Sequence, residues 1–403
     1  MKKSMIVAAM LAMVATGANA KSATDSATIA KNKPVFTVVK QNPITSIKDQ
    51  NRSGTCWAYS TLSYFESEIL KHTGKTYDLS EMFVANKTYM DRATVAVRMH
   101  GDVSFSEGGS AYDVLYALQH YGIVPESAMP APGSLTGDSL ANFGEFFAVM
   151  TPYVEAVAKS TSKKLSPAWK SGLQGIIDSY IGKTPEKFTY QGKQYTPQSF
   201  CESLGLNLDD YVTITSYTHH PMWSQFAVEV QDNWRWPLSY NVPMEDICKI
   251  IDNAINNGYT IAWGGDVTED GFTRKGLGIA YDVKKVRSMA GTDADHWFKL
   301  SKDEKKEKFD SLGVNAPEIV PTQQMRQEAF DNWETTDDHG MHIYGIAKDQ
   351  NGKEYYMVKN SWGEYGDYKG TWYMTKAFVA YKTMDFMVNK NAIPKDIRKK
   401  LGI

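Results

Sequence analysis

Cysteine is scarce in this chain, with three in 403 residues. That is too few for a disulfide framework, and an odd number leaves at least one thiol without an intrachain partner. A charge excess is missing as well: Lys and Arg total 44 against 46 Asp and Glu, a net of −2. So close a balance gives no electrostatic case for wrapping nucleic acid or coating an anionic membrane. Long apolar runs are also missing. No stretch approaches the roughly 18 uninterrupted apolar residues that a membrane helix needs. Nor is there an internal repeat or a low-complexity block. What remains is 42% hydrophobic, with 30 Gly and 15 Pro. That is globular composition, which excludes a disordered or collagen-like chain. The length suggests two or three domains, or one large domain carrying insertions.

The amino terminus reads as a processing signal. Lys2 and Lys3 form a short positive region, Met5 to Val14 an apolar stretch, and Ala18-Asn19-Ala20 a small-x-small cleavage site. Cleavage after Ala20 is expected, so residues 1–20 are a signal peptide and Lys21 starts the mature chain. No cysteine follows the site to carry a lipid. The short positive region looks bacterial, which points to the periplasm or the exterior. Residues 21–35 read as a loose leader.

Helical periodicity begins at Cys56. Ala58, Leu62, Phe65 and Ile69 fall on one face, and Thr73-Gly74 ends the run. Residues 140–160 carry a second such pattern through Phe143, Phe147, Met150, Val154 and Val157, and Met244–Asn256 a third. Later the pattern changes: His342–Ala347 and Tyr355–Lys359 are strand-like and joined around Asn351-Gly352, a hairpin signal. Helices early and strands late make an α+β arrangement with a cleft between the halves.

Cys56 is the cysteine with a claim to chemistry. It opens the first helix, where the positive end of the dipole stabilises a thiolate and open N–H groups can hold an oxyanion. Cys201 and Cys248 read as small buried hydrophobes, the latter beside Ile247, Ile250 and Ile251. A nucleophilic cysteine needs a base, and the base needs an orienting partner. His339 stands where a strand begins, and Asn360 follows 21 residues later, beyond the hairpin. Adjacent antiparallel strands can set them side by side. Asn360 would bond one ring nitrogen, the other would face Cys56, and Trp362 would shield the bond. His342, three residues on, points to the opposite face. His219-His220 before Pro221 reads as surface, there being no third metal ligand in view.

Together, Gln50 with Cys56-Trp57, Asp338-His339-Gly340-Met341 and Asn360-Ser361-Trp362-Gly363 resemble the catalytic set of the papain-like cysteine peptidases. The resemblance implies that Gln50 donates to the oxyanion, Cys56 attacks, His339 is the base and Asn360 orients it. It implies a papain-like fold, peptide substrates and no metal or organic cofactor. About 35 residues separate Ala20 from Cys56, but more than 280 separate Cys56 from His339. That spacing is similar to the bleomycin hydrolase/aminopeptidase C branch, with a large, mainly helical insertion at about 130–300 and a His/Asn β part at about 335–390. Asp78-Leu79-Ser80-Glu81, Tyr121-Gly122-Ile123-Val124-Pro125 and Gly370-Thr371-Trp372-Tyr373-Met374-Thr375 agree with that branch. Gly108-Gly109 fits the strip where bare backbone pairs with a substrate peptide.

Two departures bear on function. Gly340 replaces the usual Ala after the catalytic His. The family's carboxyl-terminal arm runs into the cleft, whereas Ala392 to Ile403 looks too short to reach it. Aminopeptidase action, with Ile403 as amine anchor, is therefore expected on resemblance. Endopeptidase or broader cleavage is the alternative. A non-hydrolytic peptide-binding relative and an acyl-transferring cysteine enzyme are rivals on the same scaffold. A homohexamer is implied by the resemblance alone.

Overall fold

A computed structural model describes residues 33–132, 140–285 and 300–403. The expected signal peptide lies outside the described residues, as does most of the leader. Among the described residues, no helix is long and apolar enough to cross a membrane.

The Cys56–Thr73 helix runs through the middle of the molecule. Gly74 ends it at φ 70°, its N–H returning to the carbonyl of Leu70. The sequence suggests one apolar face, but the helix is buried all round from Trp57 to Ile69, including Ser60, Ser63, Glu66 and Glu68. Its polar side faces partners instead of water. Glu66 accepts from Thr45 Oγ1 at 2.5 Å and from the Leu79 N–H at 2.8 Å. Glu68 accepts from Tyr211 and Asn389 at 3.4 and 3.2 Å. Periodicity marks apolar faces only, so a buried face satisfied by hydrogen bonds is invisible to it.

Against this helix pack Glu81–Arg98, Ala111–His120, Gly144–Ala158 and Ala168–Tyr180, which share one apolar core. Ser80 caps the first of them by accepting from the Phe83 N–H, and Ser110 with Asp113 forms a capping box on the second.

The other half is a sheet. In chain order the strands are β1 (Thr37–Gln41), β2 (Phe188–Tyr190), β3 (Lys193–Tyr195), β4 (Tyr211–Thr215), β5 (Gln225–Phe226), β6 (Ser239–Asn241), β7 (Ile261–Gly265), β8 (Phe272–Thr273), β9 (Leu277–Gly278), β10 (His339–Lys348), β11 (Glu354–Lys359), β12 (Thr371–Thr375) and β13 (Thr383–Asn389). β2 and β3 form a separate hairpin. The rest make one sheet in the order β5-β6-β4-β13-β7-β10-β11-β12-β9-β8, with β1 also on β10. Helix Met244–Asn256 covers it through Ile247, Ile250, Ile251 and Ile255.

The 130–300 stretch carries the helices expected there, but it also supplies β4 to β9. The sheet is therefore not confined to the carboxyl-terminal part. The hairpin after β10 is a loop gathered by Asp349, whose carboxylate accepts from the N–H groups of Asn351 and Lys353, with Gly352 at φ 82°. The architecture is α+β, as expected, and a cleft opens between the Cys56–Thr73 helix and strands β7, β10 and β13.

Candidate active site

Cys56 lies at the first turn of the central helix, half-buried, in a cavity of about 310 Å³ that Gln50, Gly108, Gly109, His339 and Trp362 also line. Thr55 makes no side-chain cap, so the first N–H groups of the helix stay open toward the cavity. The backbone N–H groups of Gly340 and Trp57 near the sulfur favour the thiolate. Burial outweighs them and, with Asp337 and Asp232 adding to it, pushes the thiol up to about 12.

His339 begins β10 opposite Gly265 of β7 and is buried. Its Nε2 lies 2.8 Å from Asn360 Oδ1, the pairing expected from the strand geometry. That oxygen also accepts from the Ser361 N–H at 2.8 Å. Two donors on one oxygen fix the Asn360 amide and require a hydrogen on His339 Nε2. Nδ1 is left without a proton, as a base needs. Trp362 lies over the pair, its ring 4.9 Å from the His339 ring. Burial pulls His339 down to about 4, against the opposing pull of Asn360. Burial therefore works against the charged form of both side chains.

Gln50 reaches the site because residues around Asp49 pair with Trp362 in an antiparallel bridge, with the Gln50 N–H 2.8 Å from the Ser361 carbonyl. Ser361 Oγ donates to Gln50 Oε1 at 2.7 Å, so the amide nitrogen must face the other way. There Nε2 donates to the Ser53 carbonyl at 2.7 Å, with its second hydrogen left over.

Glycine at 108 and 109 has a packing reason. A Cβ on Gly109 would lie 2.9 Å from the Trp57 ring, and one on Gly108 would collide with the Asp232 carboxylate. The strip is fastened by Glu107, whose carbonyl accepts from Trp57 Nε1 and whose carboxylate accepts from the Gly54 N–H. Gly340 is explained in the same way: a Cβ there would sit 2.7 Å from Ser60 Oγ.

His342 stands away from the cavity. It is fully buried against Ser63, Nδ1 to Oγ 2.9 Å, and burial holds it well below the usual imidazole range. Cys201 lies in the helical core and Cys248 under Lys376, and all three cysteines are free. Ile403 packs on the sheet core, and the cavity lining does not include it. His219 and His220 do have a third neighbour, Glu229, whose two oxygens lie 3.0 and 2.9 Å from their Nε2 atoms.

Sequence reasoning missed the residues that close one end of the cavity. Residues 228–236 form a strap across the helical half. Arg235 ties it down by ion pairs of 2.7 Å to both Asp91 and Asp113. Fully buried Arg92 donates to the Gly108 carbonyl at 2.5 Å and pairs with Asp232 at 3.1 Å. The ion-paired partners are more than 100 residues apart, and no local pattern announces them.

Residues 34–166 match the papain family of cysteine proteases, and residues 318–402 match the peptidase C1-like family. The chain is similar to aminopeptidase G of Lactobacillus delbrueckii subsp. lactis, 22% identical over 89% of this chain and 84% of that one. It is also similar to the bleomycin hydrolase of Gallus gallus, 21% identical over 87% of this chain and 81% of that one. The solved structure of PepW from Lactobacillus rhamnosis superposes with a TM-score of 0.67 at 19% identity, covering 94% of this chain and 86% of that one, and so shares the fold.

Proposed function

Because the chain belongs to the papain-like cysteine peptidases, in their bleomycin hydrolase/aminopeptidase C branch, we propose that it is an exported aminopeptidase working through Cys56, His339, Asn360 and Gln50. The observation that carries this is the buried Asn360–His339 hydrogen bond, which frees Nδ1 in the cavity that holds Cys56. As Cys56 sulfur attacks the scissile carbonyl, its proton passes to His339 Nδ1. The carbonyl oxygen gains the charge and is held by the Cys56 N–H and the spare Gln50 Nε2 hydrogen. Losing one such donor costs about 3 kcal/mol of barrier. His339 then protonates the departing amine and a thioester remains. Water, deprotonated by the same imidazole, attacks the thioester, releases the acid and restores the thiol.

Gly109 offers backbone to the peptide, and Trp362 keeps water from the His339–Asn360 bond. Export rests on Lys2-Lys3, the apolar Met5–Val14 run and Ala18-Asn19-Ala20.

The test is a digest of free and amino-blocked peptides read by mass spectrometry. Stepwise loss of residues from free amino termini, with blocked peptides refused, is expected. Internal fragments from blocked peptides would replace this reading with an endopeptidase. Amino-terminal sequencing of protein recovered from a bacterial host tests export, with Lys21 expected first.

A further inference from the structure

Four carboxylates that the mechanism leaves unused line the cavity with Cys56. One, Asp338, accepts from the Val267 N–H at 2.9 Å; the other three are Asp232, Asp337 and Asp385. They arrive from separate parts of the chain. Asp232 comes from the strap and covers the face of Gly108. Asp337 lies two residues before His339. Asp385, on β13, stands opposite Gly264 of β7, where a Cβ would lie 3.3 Å from its Oδ1. Among the described residues, the ion pair that any of the three makes is Asp232 with Arg92, whose Nη1 is shared with the Gly108 carbonyl. Ser239, whose Oγ donates to Thr213, favours the charged form of Asp385, and among the described residues Asp337 has neither a hydrogen bond nor an ion pair. Burial, then the charge of Asp232, holds Asp337 well above the usual carboxylate range, and burial pushes Asp385 up to about 6. Three carboxyl groups with one counter-charge, in a recess beside a nucleophile, form a place that a small cation stabilises.

We propose that this recess between Asp232, Asp337 and Asp385 receives a protonated primary amine of the peptide substrate, an inference that rests on the peptidase reading above. The strap decides which end of a peptide lies here. A chain running on past Gly108 would meet the Asp232 carboxylate, so the bound peptide stops at the recess. An ammonium group presents three donors and no acceptor, which suits a pocket of acceptors. Binding also acts on the nucleophile. Asp337 and Asp232 raise the Cys56 pKa by their charge. An ammonium between them offsets that charge, so the substrate that belongs in the cleft eases the loss of the thiol proton. The amine has two possible sources, the free α-amino group or a lysine side chain, and the assay separates them.

Short peptides in four versions serve as probes: amino terminus free or acetylated, first residue lysine or norleucine. The free-to-acetylated ratio of kcat/KM is expected to be about 100 or more in the wild type, as for a charge pair in a partly desolvated site. In Asp232→Asn and Asp337→Asn that ratio collapses, with lysine and norleucine behaving alike. If the lysine-to-norleucine ratio is the one that is large and collapses, the side chain is the source. The second readout is the pH dependence of Cys56 alkylation by iodoacetamide. It is expected to move to lower pH in Asp337→Asn, and in the wild type on adding phenylalaninamide but not its N-acetyl form. The wild-type arm stands even if a variant folds poorly. Unchanged ratios in both variants and an unmoved alkylation profile, with Cys56 still titrated by a thiol-directed epoxide, overturn the recess alone. Failure of the epoxide to label Cys56, with no peptide cleaved, overturns the peptidase reading and this proposal with it.

Discussion

His339 is held to one tautomer by donors that it does not own. The Ser361 N–H occupies Asn360 Oδ1, and Ser361 Oγ occupies Gln50 Oε1. One serine therefore sets the orientation of both amides in the site. Cys56→Ala is expected to abolish turnover while leaving the thermal transition in place, because the side chain is small and half-buried. His339→Ala is expected to do the same to turnover. His342→Ala should keep the chemistry and lose stability instead, since that ring is fully buried on Ser63. Full activity in His339→Ala would remove the base assignment. The acid limb of kcat/KM should lie near pH 4 and not near 6.5, because burial lowers His339. The sign follows from the role: above its pKa the imidazole is neutral and accepts a proton, and below it that capacity is lost. Gly340 yields a sharper test. Gly340→Ala presses on Ser60 Oγ and should reduce stability or activity, whereas adding Ser60→Ala should restore much of the loss. Additive effects in that double-mutant cycle would show that the two sites do not touch.

At the scale of elements, the strap at 228–236 does the most to shape the cleft, and it is held by charge and not by secondary structure. Arg235 bonds Asp91 on helix Glu81–Arg98 and Asp113 in the first turn of Ala111–His120, and its guanidinium lies 3.8 Å from the centre of the Tyr116 ring. Glu229, bonded to His219 and His220, anchors the near end. Truncating Arg235 leaves Asp113 buried without its cation, which in such sites costs about 3–5 kcal/mol. Arg235→Ala should therefore lower the urea midpoint clearly, and Arg235→Lys should recover only part of it, since an ammonium cannot span both carboxylates with the same fork. A midpoint unchanged in Arg235→Ala would mean that the strap is held elsewhere. None of this was legible from the sequence. Gln231 to Arg235 has no periodicity, and its partners Asp91, Arg92 and Asp113 carry nothing that marks them as receivers. By contrast, the grouping of Gln50, Cys56, His339 and Asn360 was legible because the proposed chemistry demands fixed residue types, and the Cys56, Gly144 and Met244 helices were legible because their apolar spacing repeats.

Across the whole molecule the two halves meet on the central helix, and there the sequence misleads for a physical reason. A run containing Ser60, Ser63, Glu66, Ser67 and Glu68 reads as partly solvent-facing, yet all five are buried. Strand β4, whose Tyr211 bonds Glu68, is too brief to show alternation. The architecture was thus recoverable as helices facing strands, but not the polar seam that joins them. That seam has a measurable pH dependence. Glu68 bonds Tyr211 at the start of β4 and Asn389 at the end of β13, and burial raises its carboxyl to about 7. An unfolded glutamate titrates near 4.5. Between those values the folded chain keeps a proton that the unfolded chain has lost. Stability from this group is therefore full below about 4.5 and falls as pH rises toward 7, by up to roughly 1.4 kcal/mol per pH unit. Glu68→Gln carries the neutral form at every pH. The gap in urea midpoint between pH 5 and pH 7.5 should accordingly narrow in Glu68→Gln relative to the wild type, with the variant gaining most at the higher pH. An equal gap in both proteins would mean that Glu68 does not titrate in this window, and that the seam is fastened by the ionised carboxylate.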